Sequence, residues 1–210
     1  MQIVKKTFDW AGRVLDEPAS FAGVEFHDEV YFNGTMFRQG ADFTGAVFHQ
    51  KVWFEACRFS RKADFSNAVF YETVEFRDAS FDDLAMKEAT FYKDVWFRGG
   101  KFNAQTEFEK ALFHAEVGFG QSVFAGRADF SLCLFEGNAG FDNAEFIDEA
   151  SFDNAVFIGK AWFDVAKFTT VPSFDRARFE NGATFENTTF PEDTSPVAAQ
   201  LSELAARLTG

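Results

Sequence analysis

Large apolar residues return along this chain in alternating steps of five and six, as in Phe43, Phe48, Phe54, Phe59, Phe65, Phe70, Phe76 and Phe81. The true period is therefore eleven residues, made of two unequal steps. From Phe21 to Phe190 the rhythm has 32 positions, of which 31 are Phe and one is Met86. It slips once, where Met86 follows Phe81 after five residues instead of six. Two residues before each beat stands a small residue, as at Ala41, Ala46, Val52, Cys57, Ala63 and Ala68, and polar residues tend to follow the beat. Small, outward, large, then polar is strand alternation followed by a turn. Gly and Asn recur at the turn positions, as at Gly23, Gly34, Gly45, Asn67, Gly137, Asn143, Asn154 and Asn187, which favours short strands joined by tight corners. An eleven-residue repeat also suits a helical supercoil, but a helix needs apolar residues three and four apart, and they are absent here.

Runs such as Ala63-Asp64-Phe65-Ser66-Asn67-Ala68-Val69-Phe70 and Ala150-Ser151-Phe152-Asp153-Asn154-Ala155-Val156-Phe157 carry a resemblance. They are similar to the pentapeptide-repeat family, in its Phe-centred branch where five- and six-residue steps alternate. The resemblance spans residues 19 to 190, and it implies an all-β fold, a right-handed quadrilateral β-helix with one beat per wall and four walls per coil. On that basis the 32 beats make about eight coils of about 22 residues. At roughly 4.8 Å per strand they stack into a rod of about 35 to 40 Å. Ordinary members step five residues per wall, so two opposite corners of this chain are expected to be looser than the other two. The shortened step before Met86 predicts a local kink or bulge.

The organisation then reads as an N-terminal cap over residues 1–18, the β-helix over 19–192 and a C-terminal segment over 193–210. The cap carries Ile3, Val4, Phe8, Trp10, Val14 and Leu15, enough apolar surface to cover the open strand edges of the first coil. After Thr194, Ser195 and Pro196 the spacing of Val197, Leu201, Leu204 and Leu208 predicts a short α-helix with one apolar face. That helix has two readings, a plug on the last coil or a dimerisation surface.

With the beats turned inward, the residue just before each beat points outward and sorts by column. The first column, headed by Phe21, carries Asp42, Asp64, Glu107 and Asp129, an acidic ladder. The second, headed by Phe26, carries Val47, Val69, Thr90, Leu112, Leu134 and Val156. The third, headed by Phe32, carries Tyr31, Trp53, Trp96 and Trp162. An aliphatic stripe beside an aromatic one is more apolar surface than a monomer usually exposes, and it marks a candidate interface with a protein partner or a second copy. Strand propensity alone offers the plainer reading of the same residues.

Charge narrows the partners. Lys and Arg number 20 against 33 acidic residues, a formal net charge of −13, which argues against direct binding of nucleic acid. The resemblance implies one further reading, because some pentapeptide-repeat proteins protect type II topoisomerases such as DNA gyrase by mimicking DNA. The candidate mimic face is Asp42, Asp64, Glu107 and Asp129. No protruding loop interrupts the repeats, a feature on which such protection depends in some of them. No signal peptide is recognisable, and no apolar run approaches the roughly 20 residues of a membrane span, so a soluble cytoplasmic protein without membrane contact is expected.

The chain carries no phosphate-binding loop, dinucleotide turn, zinc motif or nucleophile elbow, and neither catalysis nor a cofactor is expected. His27, His49 and His114 all follow beats of the second column, with Tyr71 and Tyr92 between them. Two histidines a coil apart make a weak metal site, and a stacked, solvated column is the expectation. Cys57 and Cys133 fill the small slot before their beats and lie too far apart for a disulfide.

Overall fold

The computed structural model describes residues 3–4 and 7–191. Two-residue strands dominate: Glu25–Phe26, Val30–Tyr31, Met36–Phe37 and Ala41–Asp42 make one full set, and the pattern repeats every 22 residues with one exception. Each strand pairs in parallel with its equivalent one coil on, as Val47↔Val69 and Val52↔Val74 show. Four ladders result, and the chain is an all-β solenoid of about eight coils. No helix among the described residues is long and apolar enough to cross a membrane.

The rings fill the interior. Every beat from Phe21 to Phe179 is buried, most of them completely, while Phe185 and Phe190 are partly covered. Within a column the rings stack, as Phe43 on Phe65 at 4.6 Å and 1°. Rings of the first and third columns meet edge to face across the middle, as Phe43 and Phe54 at 5.5 Å and 87°. Both arrangements suit the quadrupoles of aromatic rings and add about 0.5–1.5 kcal/mol per pair beyond area burial.

The corners divide into two kinds. After every beat of the first and third columns the chain makes a hydrogen-bonded turn, such as Val24 N–H donating to the Phe21 carbonyl at 3.0 Å. The second residue past those beats has positive φ throughout, whether it is Gly23, Asn67, Leu132 or Val165. That is the type II turn, and it closes the five-residue steps. The six-residue steps after the second and fourth columns lack this bond among the described residues, so they are the looser corners.

The residue missing before Met86 is absorbed by a bulge. Arg58–Asp64 and Ser80–Ala85 run as continuous strands through their corner, joining the first and fourth columns into one sheet. Phe59 faces Phe81 and Lys62 faces Asp83, so Ser60 and Arg61 together oppose Asp82. Two residues against one is the bulge count.

Upstream of Phe21 the ladders continue. Val4 pairs with Phe26, Asp9 with Tyr31 and Leu15 with Phe37, so the strands Ile3–Val4, Phe8–Asp9 and Val14–Leu15 cover the first Phe coil in its own register. The slots are exchanged at one point, where Phe8 occupies the usually small position and packs on Phe21, Phe26 and Phe32. The predicted C-terminal helix, with Val197, Leu201, Leu204 and Leu208, lies outside the described residues.

Candidate interaction surface

The second ladder places its outward residues in one unbroken line. Val47, Val69, Thr90, Leu112, Leu134 and Val156 are successive register partners, each half-buried, with Glu25 above and Arg178 below. β-branched and aliphatic side chains suit this slot because they pack on their neighbours along the ladder. On the other side of the buried Phe column runs a second line. His27 stacks on His49 at 4.4 Å, His49 on Tyr71 at 5.3 Å, Tyr71 on Tyr92 at 5.1 Å and Tyr92 on His114 at 4.9 Å. Both Tyr residues are exposed. One wall thus presents an aliphatic lane and a ring lane side by side over four coils, from Val47 and His49 to Leu112 and His114. Tyr71 and Tyr92 are not among the candidate interface residues read from the sequence, although their 22-residue relation to the His positions was the available signal.

A third donor joins the two histidines. Glu25 Oε2 lies 3.4 Å from His27 Nε2 and 3.9 Å from His49 Nε2, and the three ligand atoms fall within 4.8 Å of one another. Two histidines and a glutamate can hold zinc. The imidazoles, however, are parallel to within 7°, so their in-plane lone pairs run side by side instead of converging. The geometry fits the head of a ring ladder better than a metal centre.

The third ladder does not carry an unbroken aromatic stripe. Tyr31 and Trp53 stack at 4.5 Å, but Glu75 separates Trp53 from Trp96, and Gly118 with Gly140 separates Trp96 from Trp162. Glu75 is buried between its aromatic neighbours, 3.4 Å from Lys51 Nζ and 3.2 Å from Arg77 Nε. Those two cations lie over the rings, Lys51 on Trp53 at 4.9 Å and Arg77 on Trp96 at 5.6 Å.

Asp42, Asp64, Glu107 and Asp129 do share one ladder, with Ala85 between Asp64 and Glu107. Their carboxylates are largely spoken for. Asp42, Asp64 and Asp129 each accept a backbone N–H two residues on, from Thr44, Ser66 and Ser131, the local turn that Asp favours. Lys62 sits 2.7 Å from Asp64, Lys87 2.6 Å from Glu107 and Arg127 3.7 Å from Asp129. Burial pushes the Asp64 carboxyl up, but hydrogen bonds from Lys62 and Ser66 outweigh it and hold the group below the ordinary carboxylate value.

The cysteines are buried in the small slot, on the fourth and second columns. Each thiol donates to a carbonyl one coil back, Cys57 Sγ to Phe32 and Cys133 Sγ to Phe108, both at 2.9 Å. Thr35 and Ser122 make the equivalent bond to Trp10 and Phe97. Burial raises both thiols, Cys57 to about 12.

A family profile described as pentapeptide repeats (9 copies) matches residues 14–58, 43–88, 54–101 and 119–167, together more than half of the chain. No curated protein matches. Among solved structures, the chain is similar to QnrB1, described as a plasmid-mediated fluoroquinolone resistance protein. The identity is 16% over 100% of this chain and 98% of that one, with a TM-score of 0.37. By its 22-residue coils, its buried Phe columns and the extent of the profile match, this chain belongs to the pentapeptide-repeat family.

Proposed function

We propose that the chain is a non-enzymatic scaffold, a right-handed quadrilateral β-helix whose second wall holds a protein partner or a second copy in the cytoplasm. One observation carries this reading: the aliphatic lane from Val47 to Val156 and the ring lane from His27 to His114 share one wall and run in register from Val47 and His49 to Leu112 and His114. A flat, rigid wall loses little conformational entropy on binding, so its apolar area converts well into affinity. The interior is packed with Phe rings, which leaves binding to the outer walls.

Charge substitution tests the reading. Val69→Lys, Leu112→Lys and Leu134→Glu together place charges in the middle of the lane without touching the buried rings. Sedimentation velocity of the wild type at micromolar concentration is expected to give a mass above the monomer, and the triple variant a monomer with an unchanged circular dichroism spectrum. Equal masses for the two proteins would reject self-association through this wall.

A second reading, an acidic rod that occupies the DNA site of a type II topoisomerase, has the net charge of −13 in its favour. It draws less support from the acidic ladder, where Lys62, Lys87 and Arg127 lie beside three of the four carboxylates. A gyrase supercoiling assay with and without quinolone separates the two. Inhibition or protection that survives the Val69, Leu112 and Leu134 substitutions would favour mimicry over the lane.

A further inference from the structure

The third wall contains a gap of defined size. Its outward slot runs Tyr31, Trp53, Glu75, Trp96, Gly118, Gly140, Trp162 and Thr184, so two successive rungs lack a side chain. They form the floor of an open recess of about 440 Å³, walled by Trp96 and Trp162 and edged by Arg77, Arg98, Glu116 and Asp142. The two glycines differ. A Cβ on Gly118 would meet the Trp96 ring at 2.7 Å, because that ring has folded over it. A Cβ on Gly140 would meet nothing closer than 3.4 Å. One rung therefore stands open, at Gly140, between two indole rings.

A flat group on that rung would lie next to the Trp162 rung, about 4.8 Å away along the ladder, and next to the Gly118 rung that the Trp96 ring covers. Rings elsewhere on this wall stack at just such a distance, Tyr31 on Trp53 at 4.5 Å. The edge of the recess sets the charge. Among the described residues Glu116, Asp142 and Arg98 have no ion pair, while Arg77 is paired with Glu75 and Arg98 donates to the neutral Gln121 at 3.2 Å, so two unpaired carboxylates stand against one guanidinium. The same wall already places cations on its rings, Lys51 over Trp53 and Arg77 over Trp96. A planar cation satisfies all three conditions at once: thickness, aromatic faces and free carboxylates.

We infer that the Trp96–Trp162 recess is a guanidinium-binding slot, which takes an arginine side chain of a protein partner between the two indoles with its donors on Asp142 and Glu116. The slot rests on the scaffold reading only for the occupant being part of a protein. Its own test uses a small molecule, so its failure leaves the second-wall variants to decide the scaffold separately.

The test is a titration of the full chain, labelled with ¹⁵N, with N-acetyl-arginine amide. The indole N–H signals of Trp96 and Trp162 are expected to shift saturably at roughly millimolar ligand, the affinity of one cation–π contact with charge assistance. Trp10 and Trp53 serve as internal controls and stay in place. N-acetyl-citrulline amide, of the same shape without the charge, should cause no shift. Gly140→Val fills the rung and should abolish the shift while the melting temperature is retained; Trp162→Leu, which removes one wall, gives the same result by another route. Asp142→Asn should weaken binding several-fold. Equal response to citrulline, tighter response to N-acetyl-phenylalanine amide, persistence of the shift in both Gly140→Val and Trp162→Leu, or no shift at all would each overturn the assignment.

Discussion

Phe59 and Phe81 stack at 5.0 Å and 6°, immediately before the place where one coil has a residue fewer than the next. The mismatch never reaches the core, because Ser60 and Arg61 bulge outward against Asp82 and the register is regained at Lys62↔Asp83. An extra residue between Asp82 and Asp83 would restore the six-residue corner used by the other coils. Such an insertion is expected to leave the melting temperature within a few degrees of wild type. The same insertion between Leu132 and Cys133 breaks the turn bond from Cys133 N–H to the Phe130 carbonyl and the buried thiol bond to Phe108. Two lost hydrogen bonds at a buried site cost about 2 kcal/mol or more, which chemical denaturation of the two insertion variants would resolve.

The beats were readable in the sequence as an eleven-residue period of two unequal steps, and their sorting into four columns followed from the resemblance to the pentapeptide-repeat family. What escaped was chemistry carried by residues off the beat. The strands at 3–15 keep the 22-residue spacing, Val4 to Phe26, Trp10 to Phe32 and Leu15 to Phe37, but none of their beats is Phe and Phe8 sits in the small slot. Reading the Trp positions alone suggested a continuous aromatic stripe, yet Glu75, Gly118 and Gly140 occupy the rungs between them. The acidic ladder was visible as a line of carboxylates. Its neutralisation was not, because Lys62 and Lys87 come from corners whose side-chain directions no periodicity specifies.

Val165 is a β-branched residue at φ +59, in a turn that Asn or Gly fills in several other coils. The left-handed region costs an L-residue roughly 1–2 kcal/mol, and Asn tolerates it best among side chains that keep a Cβ. Since Val165 is 52% exposed, little packing is lost on replacing it. Val165→Asn should therefore stabilise the solenoid by about 1 kcal/mol, seen as a higher midpoint in urea with an unchanged slope.

The thiols predict an alkaline limit. Burial raises Cys57 from the ordinary 9.0 to about 12, and Cys133 in the same direction. Because the folded value is the higher one, this contribution to stability is complete below the ordinary thiol value and fades as pH climbs toward the folded value. Stability should fall between about pH 9 and pH 12, and a Cys57→Ala, Cys133→Ala variant should fall less steeply. In the native protein at pH 8 neither thiol should react with a disulfide reagent, while both should react after unfolding. Rapid labelling without denaturant would contradict the burial of the two side chains.

Solenoid stability is close to a sum of neighbouring-coil terms, so identical truncations should cost different amounts along the rod. Phe119 is fully buried, stacked on Phe97 at 4.9 Å and Phe141 at 5.0 Å and edge-on to Phe108 and Phe130. Phe185 has a stacking partner on one side among the described residues, Phe163 at 4.9 Å, and is only partly buried. Phe119→Ala should cost about 3–5 kcal/mol and open the middle of the rod. Phe185→Ala should cost less than half as much, since its cavity reaches solvent and can collapse. Hydrogen exchange distinguishes the two most directly. The terminal variant should lose protection only in the coils nearest residue 185, whereas the central one should lose it on both sides of Phe119. Equal global loss in both variants would mean that the coils unfold as a single cooperative unit and that the nearest-neighbour description fails for this chain.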